Sequence, residues 1–390
     1  MQDTLGRIAS ALSAPGSVPK VDPIALPAPV WLLKGLHDLT LALHFVALHL
    51  LLGGLVLALV WNLVGHLRKN ALSQSASEIV AAKLPIVTTY VINLGVPPLL
   101  FAQVLYGQAL YTSSILMAAW WLSAVFLIMG AYAVLYRMSH LASVGKAFWP
   151  WALVAVPVLA LVGRLFSGNM TLMLRPEAWA GIYAADPHGT SLPADPTTWA
   201  RFALVMLSSV AFGGLGTALW SFSARDASVA RHMRRQAALV ALVTLPAVLF
   251  AGLRAMGSQP LAVQAAVLGS DLGRNLSLAW VAAVALGFFL AALLAWKPSG
   301  LAGLLASLPG LVAIGTFTVV RDLVRDATLA PKGLDVWTSA VHSNWTIVGI
   351  FLASLVVGIA MIVWIAMVVA RAKPSTATLG STAAVEGSHV

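Results

Sequence analysis

Three histidines lie in one apolar stretch, LHDLTLALHFVALHLLLGG, at residues 36–54. An imidazole can ligate haem iron or carry a proton, and an ionisable side chain within an apolar span is a candidate for function. His37 and His44 share one face of a helix, but about 10 Å of axial rise separates them, so they cannot ligate one iron from opposite sides. His44 lies deeper in the stretch. We therefore consider His44 a candidate haem or proton site and His37 a second candidate, and we expect His49 to bond a neighbouring helix.

Two arginines later in the chain could bind an anionic group. The segment RDLVRD places Arg321 and Arg325 one helical turn apart. A guanidinium binds a carboxylate or phosphate through two parallel hydrogen bonds, which favours contact with a haem propionate, a quinone head group or a docking partner. The alternative is a pair of solvated ion pairs with Asp322 and Asp326.

Two further polar residues lie within or beside apolar runs. Arg164 lies inside such a run, where it needs an anionic or carbonyl partner, and we expect it near the cofactor. His342 precedes the last run. It is either a ligand or proton relay at the outer face or an interfacial capping residue.

The composition identifies the elements that must position these residues. Hydrophobic residues make up 60% of the 390-residue chain and charged residues 9%, whereas soluble domains carry about 25% charged residues. This composition predicts an all-α, polytopic bundle of membrane-spanning helices. The net charge of +10 comes from basic residues beside apolar runs rather than from a stripe mixed with aromatics, which argues against nucleic-acid binding.

The chain contains no cysteine. It therefore cannot hold an iron–sulfur cluster through thiolates, form a disulfide or attach haem c covalently. Any redox group of its own must be held by histidine, methionine or a carboxylate, or be a bound quinone.

Nine apolar runs predict nine membrane spans, with eight as the alternative because only YTSS separates the second and third runs. The runs are 37–66, 84–111, 113–138, 147–175, 198–223, 235–257, 274–296, 300–320 and 345–371. Residues 1–30 are predicted to form a Pro-rich extracytoplasmic lead-in, 31–372 the bundle and 373–390 a flexible cytoplasmic tail.

The loop charges predict the orientation. With nine spans, most basic loop residues fall on one side, whereas 177–199 on the other side contains no Lys or Arg. The positive-inside rule then places the N-terminus outside and the C-terminus in the cytoplasm. The expected location is a bacterial inner membrane. The segment RDLVRDATLAPKGLD, at 321–335, is an exception that this topology assigns to an outer loop.

Three motifs resemble helices of subunit I of cytochrome bd quinol oxidases. The first is H-F-x4-L-x2-G beginning at His44, the second is G-V-x10-G-x6-S beginning at Gly95, and the third is FALVMLSSVAFGG at 202–214. They resemble the first, second and fifth helices of that subunit, which also has nine spans. The resemblance implies a haem b ligated by His44.

The sequence also departs from the family pattern. Leu204 stands where the family has a histidine haem ligand, and a hydrocarbon side chain cannot coordinate iron. Gln103 stands where the family has a glutamate on its proton path, so Gln103 is expected to line the cofactor site without carrying protons. The family's acidic haem ligand near the last span has no counterpart. The resemblance therefore implies one haem b rather than a three-haem oxygen reductase.

Together these features predict a membrane subunit of a quinol-oxidising respiratory complex. Its expected partners are membrane lipids, quinone, another membrane subunit and a c-type cytochrome. One alternative is a cofactor-free transporter or scaffold that kept the fold. Another is a quinol dehydrogenase anchor of the polysulfide-reductase type, whose partner would carry iron–sulfur clusters.

Overall fold

The computed structural model describes residues 24–193 and 195–371. Over these residues the chain is helical and contains no β-strand, as the composition predicts. The predicted tail at 373–390 and most of the predicted lead-in at 1–30 lie outside the described residues. The helices are α1 (Val30–Leu67), α2 (Ala71–Ala81), α3 (Leu84–Leu116), α4 (Ala118–Ser143), α5 (Trp149–Leu172), α6 (Pro176–Ala185), α7 (Pro196–Ser208), α8 (Gly214–Thr217), α9 (Ala227–Gly257), α10 (Leu261–Gly269), α11 (Asp271–Trp296), α12 (Gly300–Leu329) and α13 (Trp345–Arg371).

Eight helical segments in the described part of the chain are long and apolar enough to cross a membrane. They are Val30–Leu67, Ala71–Leu116, Ala118–Ser143, Trp149–Leu172, Pro196–Ser223, Ala227–Gly257, Asp271–Trp296 and Gly300–Lys332. This length and composition indicate a multi-pass membrane protein. Each of the first eight predicted spans falls on one of these segments. The ninth, 345–371, falls on α13, whose described side chains form the apolar stretch Trp345–Met361.

The structure changes several predicted boundaries. The predicted loops at 67–83 and 258–273 contain the short helices α2 and α10. The second and third spans separate at Met117 rather than within 111–113, because the backbone leaves the helical region at Met117 (φ −130°, ψ 37°).

The largest correction concerns α12. This helix continues to Leu329, so RDLVRD is helical and was wrongly assigned to an outer loop. The side chains of Asp322, Arg325 and Asp326 form hydrogen bonds or ion pairs with residues of α1 and α3. The helix can therefore continue past the end of the apolar run.

The described residues divide into two units. The first comprises Val30–Ala340 with the residues up to Leu26, and therefore α1 to α12. The second comprises Pro27–Pro29 and the chain from Val341 onward, including α13. Within the second unit, the Asn344 amide donates to the Pro27 carbonyl at 2.9 Å.

Helix α1 is the central element of the first unit. Its own side chains are mostly apolar on all faces of the helix, which is typical of a helix buried within a bundle. It packs against α2, α3, α5, α12 and the π-helical turn Ser209–Gly213 that follows α7. His37 and His44 therefore both contact α3, whereas His49 contacts α7.

Asn62 connects α1 to two other helices. Its buried Oδ1 accepts hydrogen bonds from the Phe148 and Trp149 amides, at 2.8 and 2.9 Å, at the beginning of α5. Its Nδ2 donates to Ser77 Oγ of α2 at 3.2 Å. A helix start leaves amides without intrahelical partners, and Asn62 satisfies two of them across the helix interface.

Gly53 and Gly213 bring two backbones into direct contact. A Cβ at Gly53 would lie 2.4 Å from the Ser209 carbonyl oxygen, and one at Gly213 would lie 1.8 Å from the His49 carbonyl oxygen. Both neighbours are backbone atoms that no rotamer change can move. The glycines therefore set how closely the π-helical turn approaches α1.

We expect Gly53→Ala to lower stability by about 1–3 kcal/mol, because its methyl group overlaps backbone. Gly130→Ala is the matched control, since a Cβ there meets nothing within 4 Å. Thermal unfolding of both variants in detergent tests this expectation. Equal melting temperatures for the two variants would contradict the close contact.

Candidate functional site

A group of polar side chains is buried where the first turns of α1 meet α3 and the last turns of α12. We call this group the Asp322 cluster. Its members are Lys34, His37, Asp38, Tyr106, Asp322, Arg325 and Asp326. Ionisable residues buried among apolar helices are rare and mark functional sites by default.

Asp322 is the central carboxylate of the cluster and is 2% exposed. Its Oδ2 lies 2.5 Å from Lys34 Nζ, and its Oδ1 accepts from Arg325 Nη1 at 3.0 Å. The Tyr106 hydroxyl also donates to Oδ1, at 3.2 Å. Two cations and a hydroxyl thus compensate one buried negative charge, as a charge in low dielectric requires.

A second carboxylate links the cluster to the surface. Asp326 Oδ2 lies 2.6 Å from Lys34 Nζ, and its Oδ1 accepts from the Tyr106 hydroxyl at 2.8 Å. Trp337 Nε1 donates to Asp326 Oδ2 at 2.9 Å, and Trp337 is 54% exposed. A continuous set of hydrogen bonds therefore runs from the buried Asp322 to an exposed ring.

The hydrogen bonds of His37 fix its tautomer. Its Nδ1 lies 3.0 Å from the Pro98 carbonyl oxygen, and its Nε2 lies 3.2 Å from Arg325 Nη1. A carbonyl can only accept and a guanidinium can only donate, so Nδ1 carries the hydrogen and Nε2 the lone pair. His37 is therefore neutral, and both of its nitrogens are engaged.

Asp38 contributes an open acceptor to the cluster. Its Oδ1 is buried and has no hydrogen-bond partner among the described residues. A carboxylate oxygen of Asp38, a ring nitrogen of His37 and a carboxylate oxygen of Asp322 all lie within 4.8 Å of one another. Buried polar atoms are rarely left unpaired, so an open oxygen here indicates a place for a donor group.

The ligand atoms of His37, Asp38 and Asp322 do not fit a metal ion. Both nitrogens of His37 are already used, and the Arg325 guanidinium occupies the side of the ring where a metal would bind. Lys34 and Arg325 also neutralise Asp322. The cluster suits a neutral ligand with hydroxyl groups better than a cation.

Arg321 lies beside the cluster, and its charge acts on Asp38, Asp322 and Arg325. The structure thus brings the predicted residues His37, Arg321 and Arg325 together. The solvated ion pairs considered from the sequence are not observed for Arg325, which is 3% exposed.

His44 and His49 share a tautomer but differ at Nε2. His44 Nδ1 donates to the Val91 carbonyl at 3.0 Å, and His49 Nδ1 donates to the Phe45 carbonyl at 2.7 Å. His49 Nε2 pairs with Ser208 Oγ at 3.1 Å, so His49 bonds a neighbouring helix as expected. His44 Nε2 has no hydrogen-bond partner in the described part of the chain.

These contacts distinguish His44 from His49 as a possible metal ligand. A histidine that ligates a metal characteristically donates its other ring nitrogen to a carbonyl, and His44 has this arrangement with Nε2 open. His49 has no open nitrogen. A cavity of about 10 Å³ beside it, lined by residues that include Leu204, Phe212 and Trp280, has room for no more than about one water molecule. Of the two histidines, His44 therefore keeps a nitrogen available to a metal, and the side chain of Leu204 offers no ligand atom.

The other predicted site residues lie apart from the hydrogen bonds of the cluster. Gln103 is half-buried on α3. Arg164 of α5 stacks over the Trp199 ring at 4.9 Å, and its buried Nη1 has no partner among the described residues. His342 is exposed and belongs to the second unit.

Sequence reasoning missed Lys34 and Tyr106. Lys34 precedes His37 by one helical turn, but a lysine near the start of a span usually extends to the interface. Tyr106 lies where α3 is kinked (φ −131°, ψ 31°), which turns its hydroxyl into the cluster. The one available signal was the i, i+3 spacing of Lys34 and His37.

No family model matches the chain, and no curated protein matches it. The function of the Asp322 cluster therefore has to be inferred from its chemistry.

We expect Asp322→Asn to lower the free energy of unfolding by about 3–5 kcal/mol, because it leaves the buried Arg325 without its carboxylate partner and Lys34 with Asp326 only. Asp271→Asn is the matched control, since Asp271 forms an exposed pair with Arg274 and is 86% exposed. Thermal unfolding in detergent measures both. A melting temperature that changes equally little in both variants would show that the cluster is not a buried ionic network.

Proposed function

We propose that the chain is an integral-membrane redox subunit of a respiratory complex and binds a quinol at the Asp322 cluster. The observation that carries this proposal is the open, buried Oδ1 of Asp38, a residue with a carboxylate oxygen within 4.8 Å of His37 and Asp322. A quinol hydroxyl is a neutral donor of the kind that this acceptor lacks. The loose resemblance to subunit I of cytochrome bd oxidases supports the same class of reaction.

Oxidation of one quinol releases two protons and two electrons and leaves a quinone. Asp38 accepts the hydrogen bond of one hydroxyl through Oδ1 and then takes its proton. The second proton leaves towards Asp326, whose side chain is 16% exposed and bonded to Lys34 and Tyr106. The electrons pass to an oxidant of the cytochrome class, either bound by this chain or carried by a partner subunit.

His44 is the residue that would hold haem b on this chain. When bound, the haem provides a one-electron acceptor. The bond from Nδ1 to Val91 fixes the orientation of the ring and keeps the lone pair on Nε2. Gly95 allows the ring to lie against α3, since a Cβ there would be 3.0 Å from His44 Cε1 and Nδ1.

We further propose nine spans with the N-terminus outside and the C-terminus in the cytoplasm of a bacterial inner membrane. The distribution of Lys and Arg between loops supports this topology, with α13 as the ninth span. The cluster then lies towards the outer face, where a c-type cytochrome could accept electrons.

Asp38→Asn tests the quinol site. The amide keeps the size of the side chain but removes the proton acceptor, so we expect quinol oxidation by the purified complex to slow by about 100-fold. The assay follows reduction of a soluble cytochrome c by a short-chain quinol. Asp271→Asn is expected to retain the wild-type rate. A wild-type rate in Asp38→Asn would exclude Asp38 as the proton acceptor.

His44→Ala tests the haem ligand. We expect the variant to lose the b-type band from the reduced-minus-oxidised spectrum of the purified chain while keeping its helical circular dichroism. His188→Ala, which changes an exposed loop histidine, is expected to keep the band. Full haem content after His44→Ala would exclude His44 as the ligand.

A second candidate function is a transporter or scaffold subunit that binds no cofactor. Leu204 favours it, because this buried hydrocarbon lies in the position where the resembling family has a ligand. Extraction of haem and quinone from the purified complex separates the two candidates. Absence of both would favour the scaffold.

A further inference from the structure

An open pocket of about 330 Å³ lies where the turn Ala218–Ser223 meets the first turns of α9. Its volume falls within the range of about 300–1,000 Å³ typical of small-molecule sites. The side chains that give it its character are Ser221, Phe222, Arg225, Arg231 and Arg234. We call it the arginine pocket.

The arginine pocket has an excess of positive charge. Among the described residues, no carboxylate lies within 4.0 Å of the guanidinium of Arg225, Arg231 or Arg234. The acid nearest in sequence is Asp226, which acts on Arg231 and is engaged at the start of α9, where it accepts from the Ser228 amide at 2.7 Å. The three guanidinium groups and the Asp226 carboxylate together carry a net charge of +2.

Arg234 is held in place before any ligand arrives. Its Nε donates to Ser221 Oγ at 2.7 Å, and its guanidinium lies 5.0 Å from the centre of the Phe222 ring. The glycines of α12 pack closely on this pair, since a Cβ at Gly300 would lie 2.9 Å from Phe222 Cε1. A side chain ordered in this way loses little conformational entropy on binding.

The two Nη atoms of Arg234 remain available. Neither forms a hydrogen bond within the described part of the chain, and together they present the planar fork that matches two oxygens of a phosphate. Arg225 and Arg231 are exposed at the rim and can close on the same group. The set is therefore complementary to a phosphate rather than to a neutral headgroup.

The pocket also lies at the ends of two candidate membrane spans, where lipid phosphate groups would be concentrated. It is formed where the apolar segment Pro196–Ser223 ends and the segment Ala227–Gly257 begins. Basic pockets at such ends bind the headgroups of anionic lipids. Together with the charge and the fixed fork, this position indicates the ligand.

We infer that the arginine pocket binds a phosphate group, carried either by an anionic phospholipid or by a soluble phosphate compound. This inference is independent of the quinol proposal, because it concerns other residues at the end of other segments. Arg234 holds two phosphate oxygens, and Arg225 and Arg231 neutralise the remaining charge.

The test uses the full chain, stripped of lipid in a neutral detergent. Native mass spectrometry measures binding of short-chain phosphatidylglycerol, short-chain phosphatidylcholine and inorganic phosphate. We expect phosphatidylglycerol to bind more tightly than zwitterionic phosphatidylcholine. Phosphate binding as tight as that of phosphatidylglycerol would identify a soluble compound as the ligand, and much weaker binding would identify the lipid.

The double variant Arg231→Gln/Arg234→Gln is expected to weaken binding of the preferred ligand by about tenfold or more, the effect of losing a charge-assisted hydrogen bond. The control Arg68→Gln/Arg235→Gln removes the same charge from exposed positions outside the pocket and should change binding less than about twofold. An equal loss of binding affinity in the two double variants would overturn the inference, because binding would then depend on net charge alone.

Arg225→Gln keeps the inference testable if the double variant fails to fold. This side chain is exposed and forms no hydrogen bond among the described residues, so its loss should not disturb packing. We expect about threefold weaker binding, because one rim charge is removed. Binding equal to wild type in both folded variants would show that the pocket holds no phosphate.

Discussion

The pairing of the Asp322 carboxylate with Lys34 and Arg325 is the interaction on which this end of the protein depends. Three charges are buried among apolar helices, where none is tolerated alone. Lys34 belongs to α1, and the other two residues belong to α12, so the pairing holds those helices together. Tyr106 adds α3 to the same group. Electrostatics, rather than apolar packing alone, therefore determines how these helices meet.

The same helix, α1, shows how backbone carbonyls can give similar residues different capacities. His37, His44 and His49 each donate Nδ1–H to a carbonyl, so each keeps its lone pair on Nε2. Arg325 engages the first lone pair and Ser208 the last. Of these three, only His44 keeps a ring nitrogen with no hydrogen-bond partner among the described residues, because its neighbours on α3 offer a carbonyl and a glycine rather than a second polar side chain.

Hydropathy predicted the spans well, because the thickness of a bilayer fixes how long an apolar helix must be. It also singled out His37, Arg321 and Arg325 as residues that could do chemistry. It could not predict that Lys34 pairs with Asp322, since a contact across almost 300 positions leaves no local pattern. RDLVRD was assigned to a loop for the same reason. A run of charged residues is usually exposed to solvent, and the residues that pair with this run belong to helices distant in sequence.

The buried triad also constrains how the sequence can change over evolutionary time. Replacing Asp322 alone leaves Arg325 without a carboxylate partner and Lys34 with Asp326 only, and replacing either cation alone leaves Asp322 under-compensated. Each single step passes through a destabilised intermediate, whereas joint replacement by apolar residues can be neutral or even stabilising. Homologous chains should therefore carry all three charges or none of them, so that positions 34, 322 and 325 are inherited as one character.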